Sequence, residues 1–515
     1  MRLHRNGCGA TLRVRARPSG TGCPDTRVQR RRRGTRVKEQ VVEAEQALWK
    51  MSAGAQAAAV RSGEVTAVEL VERHLERIAE VNPVVNAVTQ LFADRARADA
   101  AEVDRRRAAG QDPGPLAGVP FTVKETTAVE GVPTTFGAER FRHNIAHSDA
   151  PPVARLRAAG AVPIGHSNMP TLVLAGVHTR SELYGDTRNP WSPEVTPGGT
   201  SGGDGAAVAG GMAAIGLGND SGGSVRIPAS FCGVAGLKPT YGRFPADHRL
   251  GAEDPALAGQ VLVVDGPLAR TVGDLRLVYE ALAGTDPRDP RAVPAPLYGE
   301  PVPRPLKIAM VIDPGGKGVH PLVRQAVEDA ADALRDAGHK VCEVPDVPRL
   351  DEALEVYGRM TMAEFAPTWP VMRTLLGEGG HRYIEMSMEG QGAVPPDVPA
   401  YLRLTSARLG IQRAWAEFLD TYPLLLAPVF TEPPFEPDLE IRDRESHARV
   451  QRAMRLCTAT SFVGVPAVAV PTGVVRGLPY GVQLIGRAYR EDLCLEAAEA
   501  IERRCGVFTP IDPRP

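Results

Sequence analysis

Apolar positions along the chain fall into two alternating patterns, short continuous runs and helical stripes. Val68, Val71, Leu75 and Ile78 share one face of a helix that starts behind Thr66 and Glu69, a capping-box pair. FTV (121–123), introduced by Gly118 and Pro120 and closed by Lys124, predicts a buried strand. AVPIG (161–165), PLLLAP (423–428), AVAVP (467–471) and GVQLIG (481–486) predict further strands, and 491–503 a closing helix. LKIAMVI (306–312), a helical stripe over 321–337 and KVCEV (340–344) form a strand–helix–strand unit, which predicts a parallel pair. Strands and helices interleave throughout, so the expected fold class is α/β, with helices on both faces of a sheet. Residues 345–450, with Pro-rich stretches near 394–399 and 428–437, yield only one strand to this reading.

Charge and cysteine usage narrow the function classes. A formal net charge of −1 gives the whole chain no electrostatic claim on nucleic acid. No run approaches the ~18 apolar residues that span a bilayer, so no membrane partner is expected. The seven cysteines lie far apart without a CxxC pair, and the histidines form no HExxH-like pair. The expectation is a reduced, cytoplasmic chain that needs no metal. The first forty residues stand apart, with twelve Arg or Lys against Asp25 and Glu39. No apolar stretch follows them, so they do not read as a secretory signal. They read as a disordered basic tail (1–40) ahead of a single domain (41–515), with a nucleic-acid-binding arm as the alternative.

Candidate chemistry gathers between Thr196 and Arg243. Eleven glycines fall from Gly198 to Gly223, interleaved with AAVA and MAAIGL and closed by SVRIP, which separates the segment from a flexible linker. Glycines of this kind let backbone N–H groups approach a developing charge. DSGGS (220–224) could offer consecutive N–H groups to an oxyanion, with the Ser224 hydroxyl at its end. No histidine is near in sequence to serve as base. Lys124, at the end of an apolar strand, could be desolvated and so freed of its proton, although residue types alone fit a solvated lysine as well. Residues 199–203 also satisfy G-x-S-x-G with Ser201 as nucleophile, but that elbow needs a strand before it, and Pro190, Pro193 and Pro197 oppose one.

The same segment resembles the amidase signature, which runs Gly-Gly-Ser-Ser-Gly-Gly, a glycine-studded helix, then Asp-x-Gly-Gly-Ser-x-Arg-x-Pro. Asp220, Gly222, Gly223, Ser224, Arg226 and Pro228 fill its second half. CGVAGLKPTYGR (232–243), GVPFTVKE (118–125), HSNMP (166–170), DTRNPW (186–191) and GLPYGVQLIG (477–486) also resemble family segments, so the similarity covers roughly residues 46–510. The resemblance implies a large mixed β-sheet sandwiched between α-helices and hydrolysis of a small-molecule amide through an acyl-enzyme, without a cofactor. By position it implies Ser224 as nucleophile, Lys124 as base and Ser221, Gly222 and Gly223 as oxyanion donors. The family's bridging hydroxyl is a serine held by a cis peptide bond, and here that position is Thr200, whose β-methyl stiffens χ1. Ser201 is a fallback proton carrier, and Asp220 and Arg226 read as buried organisers.

Two alternatives stay open at this point. The family includes the glutaminase component of the amidotransferase that converts Glu-tRNA to Gln-tRNA, and the chain could also be an inactive scaffold with a nucleic-acid-binding tail. Cys232 reads as a core residue, as do Phe136, Trp369, Tyr383 and Phe430, which are also the candidates for apolar substrate contacts. A homodimer is compatible with the sequence.

Overall fold

Each apolar run forms a strand, and most of these strands are buried along their length. A computed structural model of the protein describes residues 48–249, 253–390 and 397–514. The basic tail, and with it the nucleic-acid reading, lies outside the described residues. The strands are β1 (Val88–Leu91), β2 (Pro120–Lys124), β3 (Val162–Ser167), β4 (Ile215–Asp220), β5 (Ala235–Lys238) and β6 (Val264–Ala269). They continue with β7 (Lys307–Met310), β8 (Lys340–Glu343), β9 (Leu424–Pro428), β10 (Ala467–Val475) and β11 (Leu478–Gly486). All eleven join one mixed sheet in the order β1-β3-β2-β4-β6-β5-β10-β11-β9-β7-β8. The expected strand–helix–strand unit is present, with β7 and β8 parallel and Lys307 opposite Lys340.

The helices that matter for the site are α1 (Ala67–Val85), α2 (Ala93–Ala108), α3 (Gly202–Ala209), α4 (Arg226–Cys232), α5 (Val272–Leu282) and α6 (Pro321–Asp336). After these come α7 (Leu350–Phe365), α8 (Glu378–Gly390), α9 (Val398–Thr421), α10 (Arg455–Val463) and α11 (Glu491–Cys505). Thr66 caps α1 by accepting from the Glu69 N–H at 3.0 Å. Phe121, Val123, Ile215 and Leu217 point to one face of the sheet, where they pack with apolar residues of α5, α6 and α11. The opposite face is covered by α1 to α4 at one end and by α7, α9 and α10 at the other. Among the described residues, no helix is long and apolar enough to cross a membrane.

The alternation along β2 and β4 sets up the site. Because Phe121 and Val123 take one face, Thr122 and Lys124 take the other. On β4 that second face carries Gly216 and Gly218, and the absent side chains there admit α3. A Cβ at Gly218 would lie 2.5 Å from Ser201 Oγ and 2.8 Å from Ser201 Cβ. Gly218→Ala is therefore expected to push α3 off the sheet and lower stability by about 1–3 kcal/mol. Urea unfolding checks this, and an unchanged midpoint would mean that the contact has slack.

Candidate active site

β2 and β4 run parallel, so their C-terminal ends lie side by side. Lys124 ends β2, and Asn219 and Asp220 end β4. The chain that follows Asp220 forms the loop carrying Ser224 and then turns into α4. The segment entering α3 crosses the same spot, held to the loop by the Ser201 N–H, which donates to the Ser224 carbonyl at 3.1 Å. Lys124, Thr200 and Ser224 thus arrive from three separate stretches of sequence.

Lys124 is fully buried, and its Nζ donates to Thr200 Oγ1 at 2.5 Å and to Asn219 Oδ1 at 2.7 Å. Asn219 is fixed in turn by donating from Nδ2 to Thr126 Oγ1 at 2.7 Å. The Gly199–Thr200 peptide bond is cis, with the Thr200 hydroxyl turned toward the amine. Burial pushes the Lys124 amine down to about 7, against the carboxylates of Asp204, Asp220 and Asp265, which oppose the shift. An amine so placed can hold a lone pair near neutral pH, and the Thr200 O–H then donates to it.

Ser221 and Ser224 keep partial exposure while Gly222 and Gly223 are buried. The Gly223 N–H, expected among the oxyanion donors, instead donates to Asp220 Oδ1 at 2.8 Å, because the loop curls around that carboxylate. Asp220 also accepts from the Val225 N–H, from Arg226 Nε and Nη2 at 3.0 and 2.9 Å, and from Ser461 Oγ at 3.0 Å. Arg226 reaches further, donating to Gln483 Oε1 and the Cys457 carbonyl, both at 2.9 Å. Burial alone would raise the Asp220 carboxyl, but the charge and hydrogen bonds of Arg226 more than offset it and hold it well below the usual range. Ser201 is occupied elsewhere, its Oγ donating to the Asn219 carbonyl at 3.3 Å. Asn219 was not singled out from the sequence, although its place immediately before Asp220 in the motif points to it.

A profile of the Amidase family matches residues 69–495. The chain belongs to the amidase family. It is 41% identical over 471 residues to an indoleacetamide hydrolase of Bradyrhizobium diazoefficiens (strain JCM 10833 / BCRC 13528 / IAM 13628 / NBRC 14792 / USDA 110), covering 90% of this chain and 88% of that protein. It is 36% identical to one component of a glutamyl-tRNA(Gln) amidotransferase of Roseiflexus sp. (strain RS-1), covering 86% and 94%. Among solved structures, a 6-aminohexanoate cyclic dimer hydrolase superposes with a TM-score of 0.76 at 28% identity, covering 91% of this chain and 99% of that one. A bacterial aryl acylamidase gives 0.75 at 26%, covering 88% and 96%. As a member of this family the chain is a hydrolase acting on amide C–N bonds.

The region that was hardest to read in sequence reaches the Ser224 loop. A side chain at Gly222 would meet Tyr357 Oη at 3.4 Å, Met454 Cε at 3.8 Å and Thr458 Oγ1 at 3.9 Å. Tyr357 stands on α7, and Thr458 on α10. Leu172, Leu376 and Ile384 form a small apolar cluster that also takes in the partly exposed Phe136, Phe141, Trp369 and Tyr383. Burial raises the Tyr357 phenol, and the charges of Tyr383 and Asp220 add to the shift. Phe430 belongs to the core instead, edge-on to Phe231 with ring centroids 5.2 Å apart. Cys232 is likewise a buried core residue.

Removing Arg226 strands a buried carboxylate, so Arg226→Met is expected to cost about 3–5 kcal/mol of stability. Adding Asp220→Asn should recover part of it. Chemical denaturation of the two variants checks this, and equal losses would mean that the charge is not what the arginine holds.

Proposed function

We propose that the chain hydrolyses a primary amide in two steps, with Ser224 as nucleophile, Thr200 as proton bridge and Lys124 as base. The observation that carries this reading is the 2.5 Å contact between Thr200 Oγ1 and a fully buried Lys124 Nζ. The Thr200 hydroxyl passes its proton to Lys124 and takes the proton of Ser224, whose Oγ bonds to the amide carbon. The Ser221 and Gly222 N–H groups receive the developing oxyanion, since the Gly223 N–H is held by Asp220. Lys124 returns the proton through Thr200 to the leaving nitrogen, the C–N bond breaks and ammonia departs. Water then attacks the ester, gives its proton to the same relay and releases the carboxylic acid. The five cysteines among the described residues are free, which suits a cytoplasmic enzyme.

The acyl group of this substrate is apolar and aromatic, an arylacetamide such as indole-3-acetamide. The indoleacetamide hydrolase relative supports this. So does the partly exposed apolar cluster that holds Phe136, Trp369 and Tyr383. The purified chain is expected to convert indole-3-acetamide to indole-3-acetate and ammonia. Ser224→Ala and Lys124→Ala should each lower kcat/KM by at least about 10³-fold, while Thr200→Ser retains activity and Thr200→Ala loses about 10²-fold. Full activity in Ser224→Ala would overturn the assignment. Because the base must be neutral, kcat/KM rises with pH through a midpoint near 7 and not near the 10.5 of an ordinary lysine. The amidotransferase relative motivates a second reading, a glutaminase that works only in complex with partner proteins. Hydrolysis of indole-3-acetamide by the chain alone excludes it.

A further inference from the structure

A second ionisable group shares the dry face that holds Lys124. Asp204 lies in the first turn of α3 and is fully buried. Its carboxyl enters the space left by Gly216, where a Cβ would lie 2.7 Å from Asp204 Cβ. Its Oδ1 accepts from Thr122 Oγ1 at 2.8 Å, and Thr122 sits two residues before Lys124 on the same face of β2. Its Oδ2 is buried without a hydrogen-bond partner. Ser167, registered opposite Lys124 on β3, likewise keeps its Oγ buried without a hydrogen-bond partner.

We propose that Asp204 is a positioning residue for the reaction, whose carboxylate sets the proton affinity of Lys124. This rests on the reading of Lys124 as the base for Ser224. Asp220 and Asp265 also act on the amine. Asp220 is paired with Arg226, and Asp265 on β6 lies 3.3 Å from His248 Nε2. Glu125, next in sequence, points away and accepts from Gln90 Nε2 at 2.6 Å, with His166 of β3 on that same side. Lys238 of β5 donates to the Pro239 carbonyl. The charge acting on Asp204 is that of Lys124. Burial raises the Asp204 carboxyl and lowers the Lys124 amine, so the two shifts draw the groups toward each other and they titrate as a pair. An ionised Asp204 favours the ammonium and keeps the dry amine basic enough to draw the proton from the hydroxyl relay. It does so without touching substrate. A structural role alone would leave the affinity of Lys124 unaltered.

The test follows the rate of Ser224 labelling by a fluorescent fluorophosphonate against pH, with the adduct mapped by mass spectrometry. In Asp204→Asn the midpoint is expected to fall by about one pH unit, because the anion that favoured the ammonium is gone. The rate on the alkaline plateau should also fall, since a weaker base draws the proton less well. Thr122→Val keeps the carboxyl but removes a donor that favours its ionised form, so it should move the midpoint the same way by less. It decides the matter if Asp204→Asn does not fold. A midpoint that stays within experimental error of the wild type in the folded variants overturns the proposal, even if their melting temperatures drop. Wild-type protein unlabelled at Ser224 would instead overturn the nucleophile assignment on which the proposal rests.

Discussion

The whole site depends on one lysine being kept dry. An exposed lysine at neutral pH is an ammonium and has no lone pair to offer. At Lys124 the sheet removes the water: β2 is buried along its length, helices cover both faces, and the two groups in hydrogen-bonding contact with Nζ are Thr200 and Asn219. Desolvation disfavours the charged form, and the neighbouring carboxylates restrain the shift without cancelling it. The glycines of β4 serve the same end, because α3 can deliver Thr200 to the amine only if it lies directly on the strand.

The Asp220–Arg226 pair plays a different part. It does not touch the amine. Its carboxylate gathers the loop that carries Ser224, and its guanidinium ties α4 to α10 and β11 through Cys457, Ser461 and Gln483. The loop that carries Ser224, contributed by the middle of the chain, is thereby locked to residues more than two hundred positions later. The same C-terminal elements bring Met454 and Thr458 next to Gly222.

Much of this was legible in the sequence. The strands at 121–123, 161–165, 423–428, 467–471 and 481–486 show as apolar runs, because burial on both faces removes the polar alternation that would blur them. The parallel unit over 306–344 is equally plain. Residue types raised Lys124 and Ser224 as candidates, but only the family resemblance paired them, since no local pattern says that a strand-end lysine will meet a serine one hundred residues later. Sequence spacing cannot reveal that the Gly223 N–H turns inward to Asp220. Residues 345–450 stayed opaque because α7, α8 and α9 carry apolar residues for both the core and a partly open cluster, which breaks a clean stripe. Tyr357 was missed for that reason. Asp204 was missed because a single acid among glycines carries no periodic signal.

The central claim is that Lys124 is neutral in the folded protein near physiological pH. The most direct measurement is an NMR titration of protein labelled with 13C at lysine Cε, with the Lys124 resonance identified by its loss in Lys124→Met. This account predicts that the resonance titrates with a midpoint near 7. A midpoint near 10.5, with the other lysines, would contradict it and would require a different base for Ser224.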